Sequence, residues 1–206
     1  MASPNVIRFL SVGFMYTMAI STALAAQGDD PDWPCIQRKV PTLSLGQIWN
    51  GPELGPAVKG QEDAILVTEL SARRVPLAEA QQMIADFAGS LADDQRKARM
   101  MTLVRELFDH MDRERSQVIS GIARYAHRQR DMAERLRQEA SEVDALRAQP
   151  DADPSQVALR NDRLVFQTRI FQERAQSLTF VCEVPTIIEQ RLYALAKTIS
   201  QAVGSQ

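Results

Sequence analysis

The chain has 206 residues, enough for one domain with a real hydrophobic core. Its 24 Lys and Arg against 26 Asp and Glu leave a net charge of −2, which argues against a nucleic-acid binder. Aromatic residues are few, at 6%, and Ala, Arg, Gln and Glu are many, so the composition favours helix.

Residues 9–25 carry no charge, follow Arg8 and end in Ala23-Leu24-Ala25, ahead of the polar run Gln27-Gly28-Asp29-Asp30. A basic start, an apolar stretch and an Ala-x-Ala end describe a secretory signal peptide at residues 1–25. Retention as an anchor is the alternative, although residues 9–26 barely reach the ~20 residues of a spanning helix. The expected location is therefore exported, periplasmic first and secreted second, with no transmembrane span after cleavage. An oxidising compartment favours a disulfide, and Cys35 and Cys182 are the only pair available. No Cys-x-x-Cys lowers either thiol pKa, so the bond reads as a staple and not as a redox centre.

Residues 26–60 hold Pro31, Pro34, Pro41, Pro52 and Pro56 with Gly46, Gly51, Gly55 and Gly60, which predicts an extended arm. Trp33, Ile36, Val40, Leu43, Leu45, Ile48 and Trp49 demand burial, so the arm is expected to wrap over the body with Cys35 as its anchor. Residues 45–49 suit a short helical turn. The rest, residues 61–206, reads as a helical domain. A short helix is predicted over 63–74, where Ile65-Leu66-Val67 leaves a strand open. A second runs over 76–88 behind Pro76, with Gly89 as its C-terminal cap. Ser90 with Asp93 resembles a capping box opening a long helix over 91–148.

That long helix carries an apolar seam in steps of three and four, from Met101 through Val104, Phe108 and Met111 to Val143 and Leu146, broken only by Arg115, Gln129 and Glu139. Asp153 and Pro154 start the last helix, 154–203, after a connector so short that the two must be antiparallel. The last helix has its own seven-residue series: Val157, Leu164, Phe171, Leu178, Pro185, Leu192 and Ile199. From Leu178 onward Phe180, Val181, Ile187 and Ile188 make it apolar on several sides, which predicts several neighbours. The fold expected is all-α: an elongated antiparallel helical hairpin, a coiled coil, on a small helical-bundle base with an extended N-terminal arm. Pairing across the hairpin places Gly121 opposite Cys182 and near Pro185, leaving room for the arm, and Glu139 opposite Arg163. Pro185 removes one helix hydrogen bond and should kink the last helix.

Motifs for chemistry are sparse. His110 and His127 lie about 25 Å apart along one helix and cannot share a metal ion. Residues 55–60 resemble a phosphate loop, but Gln61 stands where the Lys should be. No Gly-x-Ser-x-Gly or Cys-x-x-Cys-His occurs. Neither a cofactor nor a metal is expected. Arg124, Arg128 and Arg130 form a basic stripe suited to an acidic partner or an anionic envelope surface. Leu159 and Phe166, with Ile170 beside them, lie nearly opposite the seam of the last helix and form a candidate partner-binding stripe. The expected function is an exported, non-enzymatic helical scaffold, adaptor or chaperone-like protein acting through a protein partner or self-association. The alternative is a small-ligand or cofactor-binding bundle, with Trp33, Trp49, Phe180 and Tyr193 converging in the base.

Overall fold

The computed structural model describes residues 30–54 and 63–204. The signal-like residues 1–25 and the glycine loop 55–60 lie outside them. Five helices follow in order: α1 (Leu45–Ile48), α2 (Asp63–Ser71), α3 (Leu77–Ser90), α4 (Asp93–Arg147) and α5 (Pro154–Gly204). No strand occurs among the described residues, and Ile65-Leu66-Val67 is helical.

Helices α4 and α5 form the antiparallel hairpin, and α4 alone spans roughly 80 Å at 1.5 Å per residue. The turn between them follows from local chemistry. The Asp153 carboxylate accepts hydrogen bonds from the Ser155 amide and hydroxyl, both at 2.8 Å, and Pro154 opens the helix. Those two bonds hold the Asp153 carboxyl below the usual carboxylate range. The seam runs inward along both helices, but its burial is uneven. Leu192 and Ile199 in the base are fully buried, whereas Val157, Leu164 and Phe171 near the turn are half-buried.

The base holds the core. Leu70 of α2, Ala80 and Ile84 of α3, Met100, Leu103, Leu107 and Met111 of α4, and Ile188, Leu192, Leu195 and Ile199 of α5 pack together there. Helices α2 and α3 supply the extra layers, α2 against α4 and α3 against α5. Beyond Ile122 only two helices remain, and Ala126, Gln129 and Val143 are the buried side chains of α4.

Three helix ends differ from expectation, the first being α2, which stops at Ser71 and not at residue 74. Helix α4 starts at Asp93 with Ala92 as N-cap and no side-chain cap, because the Ser90 hydroxyl donates to the Phe87 carbonyl instead. Helix α3 runs through Gly89 to Ser90, and Arg96 closes the corner by donating to the carbonyls of Ala88 and Leu91. Helix α5 runs as one helix through the buried Pro185, as the expected bounds 154–203 require.

Arginines of α4 pin the arm. Arg130 donates to the Pro31 carbonyl and to the Asp32 carboxylate. Cys35 is bonded to Cys182, with Cα atoms 5.5 Å apart. Arg115 donates to the Val40 carbonyl at 2.5 Å, and Arg105 to the Leu54 carbonyl at 3.1 Å. As the arm proceeds, its partners descend α4, so it lies antiparallel to that helix from the tip side toward the base. The path from Arg130 to Arg105 covers roughly 38 Å of helix, against roughly 80 Å for the same arm fully extended. The arm is thus folded on itself, through α1 and turns. Trp33 Nε1 donates to the Gln37 carbonyl at 2.7 Å, and Lys39 binds Asp30 at 2.5 Å. Gly121 is not what admits the arm. A Cβ there would meet only the Arg124 guanidinium, 3.9 Å away.

Arg115 is the one buried charge of the hairpin seam, 1% exposed, and its Nε donates to Glu189 of α5 at 2.5 Å. Replacing it with Ala strands Glu189 and the Val40 carbonyl and opens a cavity. Arg115→Ala is expected to cost about 2–4 kcal/mol, toward the lower end because Glu189 can rehydrate, as read from urea unfolding midpoints at unchanged slope.

A second outcome concerns pH. The Lys39 ammonium and the Asp32 amide hold the Asp30 carboxyl below its ordinary range. A depressed folded pKa means the contribution is complete above the ordinary carboxylate range and is lost as pH falls through the lower folded value. Hydrogen exchange of residues 30–44 should therefore stay slow through the ordinary range and rise only below it. Asp30→Asn should remove that acid step.

Candidate functional site

The candidate site is built on α5, whose two faces carry different seven-residue series. The inner series faces α4. The outer one, Leu159, Phe166, Glu173, Phe180 and Ile187, drifts only about 20° per heptad and so forms one stripe. Its four apolar members are large and bare: Leu159 is 64% exposed, Phe166 53%, Phe180 74% and Ile187 44%. Glu173 in the middle lies 3.7 Å from Arg169, whose guanidinium sits 5.4 Å from the centre of the Phe166 ring. Charge therefore flanks the stripe and braces one of its aromatic rings.

The same face of α5 is covered further down. Arg191 donates to the carbonyls of Leu70 and Val75 at 2.8 and 2.9 Å, which closes the α2–α3 corner onto the helix. Burial lowers the Arg191 pKa from its ordinary value. One layer on, Gln81 of α3 donates to the Thr198 hydroxyl at 3.2 Å. At Arg191, Ala194 and Thr198 the outer face is partly covered and Val184 packs on the base core, whereas Phe180 and Ile187 meet solvent.

The structure leaves Leu159 and Phe166 exposed on one face, with Ile170 half-buried beside them. It also corrects the reading of the lower half of α5. Phe180, Val181 and Ile187 are exposed, although Val184 and Ile188 on other sides of the same stretch pack on the base. Sequence reasoning missed Phe180 and Ile187 as surface residues. The signal was present in the strict step of seven from Leu159, but Glu173 interrupts it.

The basic stripe divides. Arg130 is committed to the arm, while Arg124 and Arg128 stay exposed on α4. Arg124 and Arg128 line a shallow cleft with Asp32, Ala123 and His127. A second cleft of about 560 Å3 lies between the helices, where Arg128, Arg135 and Arg174 surround Tyr125 and Met132. His127 stands 3.5 Å from Asp32 and 3.7 Å from Asp131. The expected Glu139–Arg163 pair is replaced one turn away by Arg160 and Glu142, 3.4 Å apart.

No family model, curated protein or solved structure matches the chain. Among the described residues, no group of three or more His, Cys, Asp or Glu is placed to hold a metal ion. No helix among them is long and apolar enough to cross a membrane. The four aromatic residues assigned to a pocket in the base do not enclose one. Trp49 packs on the core, whereas Phe180 and Tyr193, 74% and 50% exposed, point outward. What the geometry offers is a contact surface.

Proposed function

We propose that the protein is an exported, non-enzymatic helical scaffold that acts by protein–protein contact along the outer face of α5. The observation that carries this reading is the row of Leu159, Phe166, Phe180 and Ile187 on one bare helix face. Burying a large apolar side chain contributes about 1.5–3 kcal/mol relative to leaving it exposed. An apolar row repeated on one helix face, here interrupted once by Glu173, supports a binding surface more than single scattered apolar residues do. The row spans roughly 42 Å, the length of a helix docked along it. Export is supported by the Cys35–Cys182 bond, since such bonds persist in oxidising compartments. The stapled arm and the packed base brace the hairpin from its base up to Arg130.

A photoreactive phenylalanine analogue placed at Phe180 or Phe166 in cells should capture a protein. The same analogue at Gln138, exposed on α4, should capture nothing. Phe166→Ser with Phe180→Ser should abolish capture from an analogue at Ile187, with helicity and the disulfide unchanged. Capture from Gln138 alone would remove α5 from consideration.

A further inference from the structure

The exposed stripe of α5 has a neighbour line that completes a second seam. Between the members of the series Leu159, Phe166, Glu173, Phe180 and Ile187 fall Arg163, Ile170, Ser177, Val184 and Arg191, also in steps of seven. Together they alternate by three and four, as a two-helix interface requires. In an antiparallel pair of helices, one such line faces the other line of the second helix. Sliding α5 against an inverted copy of itself gives one register that matches apolar with apolar. Phe166 then meets the partner's Val184, Ile170 meets the partner's Phe180, and Glu173 meets the partner's Ser177, each contact occurring twice.

Charge selects the same register. On one flank Arg169 faces the partner's Glu183, again twice, and Gln176 faces the partner's Gln176 at the twofold axis. On the other flank Arg174 meets the partner's Arg174 once. A slip of one heptad in one direction sets Asp162 against the partner's Glu183 and Phe166 against the partner's Ser177. The slip in the other direction sets Val184 against the partner's Glu173 and loses the Arg169 pair. A parallel arrangement stacks Glu173 on the partner's Glu173 and sets Arg169 against the partner's Arg174 on both flanks. Flanking charges of this kind set orientation in paired helices.

We infer that the occupant of this face is a second copy of the chain, with α5 packed antiparallel on the partner's α5 about a twofold axis level with Gln176. The inference rests on the contact-surface reading of α5 given above, and it names the partner. The pairing is isologous, so it closes at two copies and does not propagate into fibres. Overlap from Arg163 to Ile187 gives roughly 36 Å of contact and turns two thin hairpins into one four-helix middle. Arg191 and the α2–α3 corner cover the face below Ile187, so the apolar contact is confined to residues 163–187 and residues 154–162 of each copy pass beside that corner without docking on it.

The full chain, purified with its disulfide formed, should run as a dimer at tens of micromolar by light scattering. Phe166→Ser with Phe180→Ser should make it monomeric with unchanged helicity. Arg169→Glu should weaken the dimer by about tenfold, and Arg169→Glu with Glu183→Arg should restore it. Both native cysteines are in the disulfide, so an added cysteine is a single free thiol. Gln176→Cys should crosslink two copies through a short bismaleimide. Asp162→Cys should not, because antiparallel pairing separates the two copies of that residue by roughly 40 Å. Crosslinking at both positions would overturn the antiparallel arrangement, and a dimer indifferent to Phe166 and Phe180 would overturn the interface. A monomer whose Phe180 analogue still captures a different protein in cells would end the self-pairing while leaving the scaffold reading intact. A monomer that captures nothing would end both.

Discussion

A buried arginine organises the molecule. Arg115 lies in the apolar seam of α4, and its removal from water is tolerated only because Glu189 of α5 and the Val40 carbonyl of the arm both receive its hydrogen bonds. One guanidinium thus joins three segments that are far apart in sequence. It also fixes how α4 and α5 slide. A slip of one heptad would set Arg115 against Cys182 or Ala196, where no carboxylate waits, so the charge itself forbids the alternatives. With that register set, Cys182 arrives beside the arm, where it bonds to Cys35. Its Nη1 is buried without a partner, which is the residual cost of the arrangement.

The same register decides which side of α5 is left over. A helix with apolar residues around much of its circumference needs neighbours on more than one side. In the base α5 has them: α4 on one face, and α3 with the α2–α3 corner on another. Along the tip, among the described residues, α5 has only α4 beside it, yet its apolar outer series continues. Meanwhile the long base–tip axis is stiffened by the arm lying beside α4, so the bare face is presented on a rod and not on a loop.

The hairpin was legible because its signals are local and redundant. The heptads of α4 and α5, the Asp153-Pro154 start and the short connector all point the same way, and a lone cysteine pair leaves one bond to draw. The ends of α3 and α4 were less legible, because Ser90 has two backbone partners within reach and its sequence does not say which it takes. The arm's one covalent anchor, Cys35 on Cys182, was legible, but the rest of its path was not. Its other anchors are main-chain carbonyls, and every residue has one. The outer face of α5 failed for a further reason. Periodicity says that Phe180 and Ile187 share a stripe, but only the place where α3 stops says that the stripe is bare.

The way the arm is held has one more consequence. Arg130, Arg115 and Arg105 each bind it through a backbone oxygen, belonging to Pro31, Val40 and Leu54. The specification of the arm's route is therefore written in α4, not in the arm. Apart from Cys35, Asp30, Asp32 and the few side chains that sink into the body, its residues are free to drift without moving the path. A foreign sequence of equal length would keep the route only if it also kept Cys35, Asp30, Asp32 and the core contacts of Leu43, Ile48, Trp49 and Leu54.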